Sequence, residues 1–289
     1  MSRNSRRSKV QHKIPTPQPP TPSAAPPAPA YSNPFGVDLV AATEVVKLPS
    51  EGKFYGPEST LHGVSEVEIR HMTAREEDIL ANQQYMLDGS VFDRVINSVL
   101  VDKNINPLDF IAGDRNAILY AARITGYGNE YKVKMPCPKC GAEADFVFDL
   151  DKCEQKHELP EGVEFFEDHG LFGFVLPKTG MTVHAKILTA ADEQYLQKQN
   201  EKTEKLGLEN NQTVNLFSRA IASVNGVTDR ALLNDLFPKL PALDSRKIRT
   251  VLNNISPEVS TKQNVVCGSC GEESESEVPF SLGFFWPDT

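Results

Sequence analysis

Several things are scarce in this chain of 289 residues, and each scarcity excludes something. Cysteine occurs five times, and an odd count with four members in two CxxC pairs argues against a disulfide framework and for a metal site in a reducing compartment. No stretch approaches the roughly 18 apolar residues of a membrane span. The basic N-terminus runs into prolines where a signal peptide would have its apolar core, so a soluble, non-secreted protein is expected, with no membrane partner. The motifs GxSxG, P-loop, HExxH and the Rossmann fingerprint are all missing, and acid pairs such as Glu76-Glu77 and Glu272-Glu273 are sequence neighbours that do not face one pocket. No enzyme and no small-molecule substrate is therefore expected. Basic residues are also short, at 30 Lys+Arg against 39 Asp+Glu. Residues 1–34 hold Arg3, Arg6, Arg7, Lys9 and Lys13 and no acid, which leaves 25 bases against 39 acids, a charge of −14, for residues 35–289. A body of that sign repels phosphate and argues against nucleic acid as a partner, except through the N-terminal arm.

Proline is abundant in one place only. Nine of the 21 prolines lie in residues 1–34, mostly from Pro15 to Pro29. Such a segment lacks backbone donors and has little to bury, so residues 1–42 read as a disordered, basic, Pro-rich arm, either a tether or a docking arm.

The rest of the chain repeats itself. Leu48-Pro49-Ser50-Glu51-Gly52, followed by Val67 to Ala74, returns as Leu176-Pro177-Lys178-Thr179-Gly180, followed by Val183 to Ala190. Phe92 to Val99 returns as Phe217 to Val224, and Asp114, 23 positions before Cys137, returns as Asp244, 23 positions before Cys267. Offsets of 116, 125 and 130 from the Val67 block onward suit one duplicated unit with small loop insertions. The unit reads as a Leu-Pro turn, a strand, a helix opened by a capping box at Thr73 and Glu76 (Thr189 and Asp192 in the copy), and two further helices. The second helix opens at Ser90 and is matched by Leu216, Phe217, Ala220, Ile221 and Val224. The third begins near Asp114, with its copy running from Asp244 to Ile255. The expected fold is α+β, a tandem duplication with a first repeat over residues 43–152 and a linker and second repeat over residues 153–289.

Each repeat ends in a knuckle, Cys137-Pro138-Lys139-Cys140-Gly141 and Cys267-Gly268-Ser269-Cys270-Gly271, with strand-like residues on both sides. A two-residue gap lets two thiolates reach one cation while the trailing glycine relieves the turn, and two knuckles complete a tetrahedral four-thiolate shell. Cys137, Cys140, Cys267 and Cys270 are thus candidate ligands of one structural Zn²⁺ in a zinc-ribbon-like site. The 126 residues between Cys140 and Cys267 exceed a local ribbon's spacer. In a duplicated chain the metal would clip the repeats about a pseudo-two-fold axis. Four cysteines leave no open position for catalysis. Two disulfides or a redox pair are the alternatives. Cys153 reads as a spectator thiol, and His157 and His169 as surface histidines.

The C-terminus closes on Phe280-Ser281-Leu282-Gly283-Phe284-Phe285-Trp286-Pro287, too apolar to hang free. Either these aromatics pack on their own domain, or Phe284, Phe285 and Trp286 anchor a partner, and the two readings are not exclusive.

The order of Leu48-Pro49, Gly52, Tyr55, Met72-Thr73-Ala74, Glu77-Asp78, Gly113-Asp114-Arg115, Arg123, Tyr127-Gly128, Cys137-Pro138-Lys139-Cys140 and Phe284-Phe285-Trp286-Pro287 resembles the baseplate hub assembly proteins of T4-like tailed bacteriophages, over residues 44–289. The resemblance implies a non-enzymatic protein acting in hub assembly, with other phage tail or baseplate hub proteins as partners. Its expected location is the virion tail baseplate, or the host cytoplasm during assembly. A zinc-ribbon nucleic-acid binder using the basic arm is the alternative function.

Overall fold

The computed structural model describes residues 41–207, 211–280 and 282–285, so the arm expected over residues 1–42 lies almost wholly outside the described residues. Residues 41–289 form one compact unit of mixed α and β structure. Strand β1 (Thr43–Lys47) pairs antiparallel with β2 (Glu66–Arg70), placing Val46 opposite Val67 on the buried face. The loop between them turns at Leu48-Pro49. Gly52 there adopts φ +73°, and a Cβ on it would lie 2.3 Å from the Val64 nitrogen, so only glycine fits.

Helix α1 (Ala74–Leu80) starts at the Thr73 to Glu76 capping box expected from the sequence. It is followed by α2 (Gln83–Leu87), α3 (Val91–Val99) and α4 (Ala112–Tyr127), the last stopped by Gly128 at φ +82°. Val95, Ile96 and Val99 of α3, and Ile118, Leu119 and Ala122 of α4, are buried at helical spacing. A hairpin of β3 (Glu130–Pro136) and β4 (Glu143–Asp149) follows.

The chain continues through β5 (Glu154–Lys156), β6 (Val163–Phe166), β7 (Leu171–Val175), β8 (Thr182–Ala185), α5 (Ala190–Lys205), α6 (Gln212–Ala220), β9 (Ile221–Val224), α7 (Arg230–Leu236) and α8 (Ala242–Asn254). Strands β6 to β9 form one antiparallel sheet in chain order. Here the structure corrects the sequence reading: Ile221 and Val224 are strand, not helix. Their apolar, β-branched side chains suit either element, and edge pairing with Ala185 and Val183 decides it. Strands β10 (Glu258–Ser260), β11 (Lys262–Val266) and β12 (Glu273–Glu277) close the chain. Strand β10 pairs back to β5, and β11 with β12 makes a second hairpin. No described helix is long and apolar enough to cross a membrane.

Buried carboxylates organise the turns. Asp114 is wholly buried and accepts hydrogen bonds from the Ser50 amide at 2.9 Å, the Ser50 hydroxyl at 2.6 Å and the Tyr55 hydroxyl at 2.5 Å. Burial pushes its carboxyl above the ordinary range, partly opposed by these bonds. Asp244, also wholly buried, accepts from the amides of Lys178 at 2.7 Å and Thr179 at 3.1 Å. In both places the acid satisfies backbone donors of a Leu-Pro-x-x-Gly turn that no strand can satisfy. Glu76 accepts from Arg70 at 2.9 Å, from the Ser98 hydroxyl at 2.5 Å and from the Thr73 amide at 2.9 Å. Asp192 holds Lys186 at 2.6 Å and also Arg219, and caps Thr189.

At the C-terminus the packing reading holds for two of the three aromatics. Phe284 and Phe285 are fully buried within the chain's own fold, and Trp286 lies outside the described residues. The Phe284 ring meets Tyr120 at 5.0 Å, Phe280 at 5.1 Å and Tyr131 at 5.2 Å. Beneath it the buried Arg123 donates to the carbonyls of Phe284 at 2.7 Å, Gly128 at 2.8 Å and Glu130 at 3.3 Å.

Candidate metal centre

Both CxxC segments sit at the tips of hairpins, β3–β4 and β11–β12. Their backbones are built alike. The Cys137 amide donates to Ala142 at 2.9 Å and Gly141 donates back to Cys137 at 2.9 Å; the Cys267 amide donates to Glu272 at 3.0 Å and Gly271 to Cys267 at 2.8 Å. Gly141 at φ +70° and Gly271 at φ +69° turn the chain back into the second strand, a conformation that disfavours side chains.

The four Sγ atoms of Cys137, Cys140, Cys267 and Cys270 lie within 4.8 Å of one another, with Cys137 and Cys270 at 4.0 Å. A tetrahedral thiolate shell around zinc, with bonds of about 2.3 Å, needs sulfurs about 3.8 Å apart, so the cluster fits such an ion with small adjustment. All five cysteines are unbridged. The first of each pair is buried and the second exposed, so the site lies at the surface of the two tips. These four thiols could bind a metal.

The thiols of the second knuckle are shifted in opposite directions. The amides of Cys270 and Ser269 favour the Cys267 thiolate and lower its pKa. At Cys270 the Glu272 amide favours the thiolate as well, but desolvation and the sulfurs of Cys267, Cys140 and Cys137 outweigh it and raise the pKa. Four thiolates this close repel one another, and a bound cation removes that repulsion.

Sequence reasoning missed the contacts that hold the tips together. Lys139 of one knuckle pairs with Glu272 of the other at 2.8 Å. Lys139 directly precedes Cys140 and Glu272 follows Cys270 by two positions, and opposite charge at those positions was the available signal. Gln263 of β11 spans to the end of β4, accepting from the Asp149 amide at 3.0 Å and donating to the Asp149 carbonyl at 2.8 Å. It also donates to Cys153 Sγ at 3.7 Å, a half-buried thiol whose pKa burial raises. Cys153 thus stands apart from the cluster, as expected. His157, read from the sequence as a surface residue, is half-buried: its ring lies tilted against Phe54 at 4.6 Å and bonds the Ile255 carbonyl at 3.2 Å, while His169 is exposed as expected.

No curated protein and no solved structure matches this chain. The family model described as T4 bacteriophage base plate protein matches residues 40–286. That span takes in both hairpin tips, both buried turn-capping acids and the aromatic C-terminus, and the chain belongs to the T4 bacteriophage base plate protein family.

Proposed function

We propose that this chain is a non-enzymatic structural or assembly protein of the phage baseplate hub, built as two α+β repeats over residues 43–152 and 153–289 and clipped by one structural zinc on Cys137, Cys140, Cys267 and Cys270. The observation that carries the reading is the convergence of four Sγ atoms within 4.8 Å from knuckles separated by more than a hundred residues. A local ribbon needs no such convergence; a clip between two halves does.

Paired features support the duplication. Capping boxes open α1 and α5, Asp114 and Asp244 cap the same kind of turn, and Arg70 with Glu76 is echoed by Lys186 with Asp192. Strand β2 with α1 and β8 with α5 share an offset of 116, and α4 with α8 starts at an offset of 130. Family membership supports work in the virion tail or in the host cytoplasm during assembly, through contacts with other tail or hub proteins. Of the three residues expected to bind a partner, Phe284 and Phe285 have no exposed side chain to offer, so that role would fall to Trp286, with the exposed Phe280 near it in sequence.

Elemental analysis of the native chain beside a thiol titration tests the clip. One zinc per chain with Cys153 as the single reactive thiol is the expected result. No metal with all five thiols reactive would overturn it.

A further inference from the structure

Two cationic clefts interrupt the acidic body. The first, about 750 Å³, is lined by Arg70, Arg75, Arg94 and Lys103 together with Ile79 and Tyr85. The second, about 510 Å³, is lined by Lys186, Arg219 and Arg230 beside Tyr195. They occupy equivalent places. Arg70 ends β2 and Lys186 directly follows β8; Ile79 and Tyr195 each stand six positions after a capping threonine; Ser98 and Arg219 are each the penultimate residue of α3 and α6.

The charge is not cancelled from within. Beneath the first cleft Glu76 pairs with Arg70, and its one lining acid, Asp93, is held by Arg115 at 2.5 Å and by Gln194 at 2.6 Å, with Glu193 3.7 Å from Arg115. Arg94 lies 3.9 Å over the Tyr85 ring and donates to the Ser90 hydroxyl at 3.0 Å, and Lys103 donates to the carbonyls of Asn97 and Ser98; Asp88 feels the Arg94 charge and Glu76 that of Lys103, but neither forms an ion pair with them. Arg75 is exposed and has no ion-pair partner among the described residues. Desolvation, and then repulsion from Arg70 and Arg75, lower the Lys103 pKa, with Glu76 opposing them. In the second cleft Lys186 and Arg219 share one carboxylate, Asp192, and Arg230 donates to the carbonyls of Ile221 and Ser218.

We infer that the two clefts are docking sites for acidic segments of partner proteins, whose carboxylates pair with the guanidinium and ammonium groups while an apolar side chain packs on Ile79 and Tyr85, or on Tyr195. The inference rests on the assembly role proposed above and says where and by what chemistry a partner is held. Volumes in this range take a few residues rather than a lone small anion. Guanidinium groups pair bidentately with carboxylate and phosphate alike, so the choice between them falls to the apolar walls, which have no use for a bare phosphate. A nucleic acid, with a charge about every 1.7 Å, would meet the −14 body beyond the clefts. A partner carrying two linked acidic segments that span both clefts would bind bivalently, its second contact made at high effective concentration.

The test is fluorescence anisotropy of the full chain with a dye-labelled glutamate/leucine peptide, against its glutamine counterpart, inorganic phosphate and a DNA duplex as competitors. The glutamate peptide should bind, weaken as salt rises, and lose about tenfold in affinity in the double variant Arg75→Glu, Lys103→Glu. Arg75→Gln alone, which removes a side chain without an ion-pair partner, should lose affinity in the same direction if the double variant proves unstable. Arg230→Gln should lower the number of peptides bound per chain. Equal binding of the glutamine peptide, affinities within twofold in the Arg75 variants, or better competition by phosphate or DNA would each overturn the inference. A chain that gave such a result yet still assembled with purified hub proteins would lose the clefts and keep the assembly role.

Discussion

Phe284→Ala separates a structural C-terminus from an interaction tail. Its ring is fully buried against Tyr120, Tyr131, Phe280 and Phe285. Removing a buried phenylalanine ring costs about 3–5 kcal/mol, the transfer term plus the cavity left behind. In a body this size each kcal/mol moves Tm by about 2–4 °C, so the variant should melt about 6–20 °C below the parent at fixed metal. Truncation before Phe280 should cost more, because it also removes the Phe284 carbonyl that accepts from buried Arg123 at 2.7 Å. The assay is thermal denaturation followed by circular dichroism, with urea midpoints as a second reading. A Tm within 2 °C of the parent for Phe284→Ala would refute the burial argument and return this segment to partner contact.

Three further perturbations probe other parts of the fold. Cys137→Ser or Cys267→Ser should abolish bound metal and lower Tm steeply, since structural zinc contributes on the order of 10 kcal/mol in isolated fingers; unchanged melting with no metal would end the clip. Gly113→Ala places a Cβ 1.9 Å from the Pro257 carbonyl oxygen, so calorimetry should show a loss of about 1–3 kcal/mol despite alanine's helix preference; a neutral variant would mean the α4 contact with that carbonyl is loose. At Glu76 burial opposes ionisation, but bonds from Ser98 and Thr73 and the charge of Arg70 outweigh it, so its pKa falls below the ordinary 4.5. At Asp192 burial is likewise outweighed, by Lys186, the Thr189 amide and Arg219, and its pKa falls below 3.8. Lowered folded-state values mean stability that is complete above those ordinary values and lost as pH drops below them. Urea midpoints for Glu76→Gln or Asp192→Asn should therefore fall less between pH 7 and pH 3 than those of the parent. The comparison must be variant against parent, because buried Asp114, with its raised pKa, contributes a slope of the opposite sign.

Local chemistry carried most of what the sequence revealed. Glycine after each CxxC, threonine three residues before an acid, and Gly128 after an apolar helix stripe each solve a backbone problem within a few residues, and the structure places each as expected. The long-range pieces were silent. Nothing local marks Gln263 as the bridge to Asp149, or Glu154–Lys156 as the strand that β10 will pair, because those choices depend on how distant segments meet. The aromatic C-terminus shows the same limit: composition says it must be covered, and only packing says by what.

If the chain is a duplication, the helix α3 block admits two registers. On the duplication proposed here, aligning apolar residues matches Phe92 to Val99 with Phe217 to Val224 at an offset of 125. Element ends match at 121: α3 and α6 each span nine residues, Leu100 bridges Ile69, and Ile221 pairs Ala185. The difference is four residues, about one helical turn, and residues four apart share a helix face, so hydrophobic periodicity alone cannot distinguish the two alignments. Charge can. At 121, Ser98, which bonds Glu76, falls on Arg219, which pairs with Asp192, and each acid also holds the basic residue near the end of the preceding strand, Arg70 or Lys186. A buried acid tolerates few geometries, because its lone pairs must be satisfied where it sits. Polar partners of buried acids therefore fix the register of a repeat where apolar stripes slide by a turn.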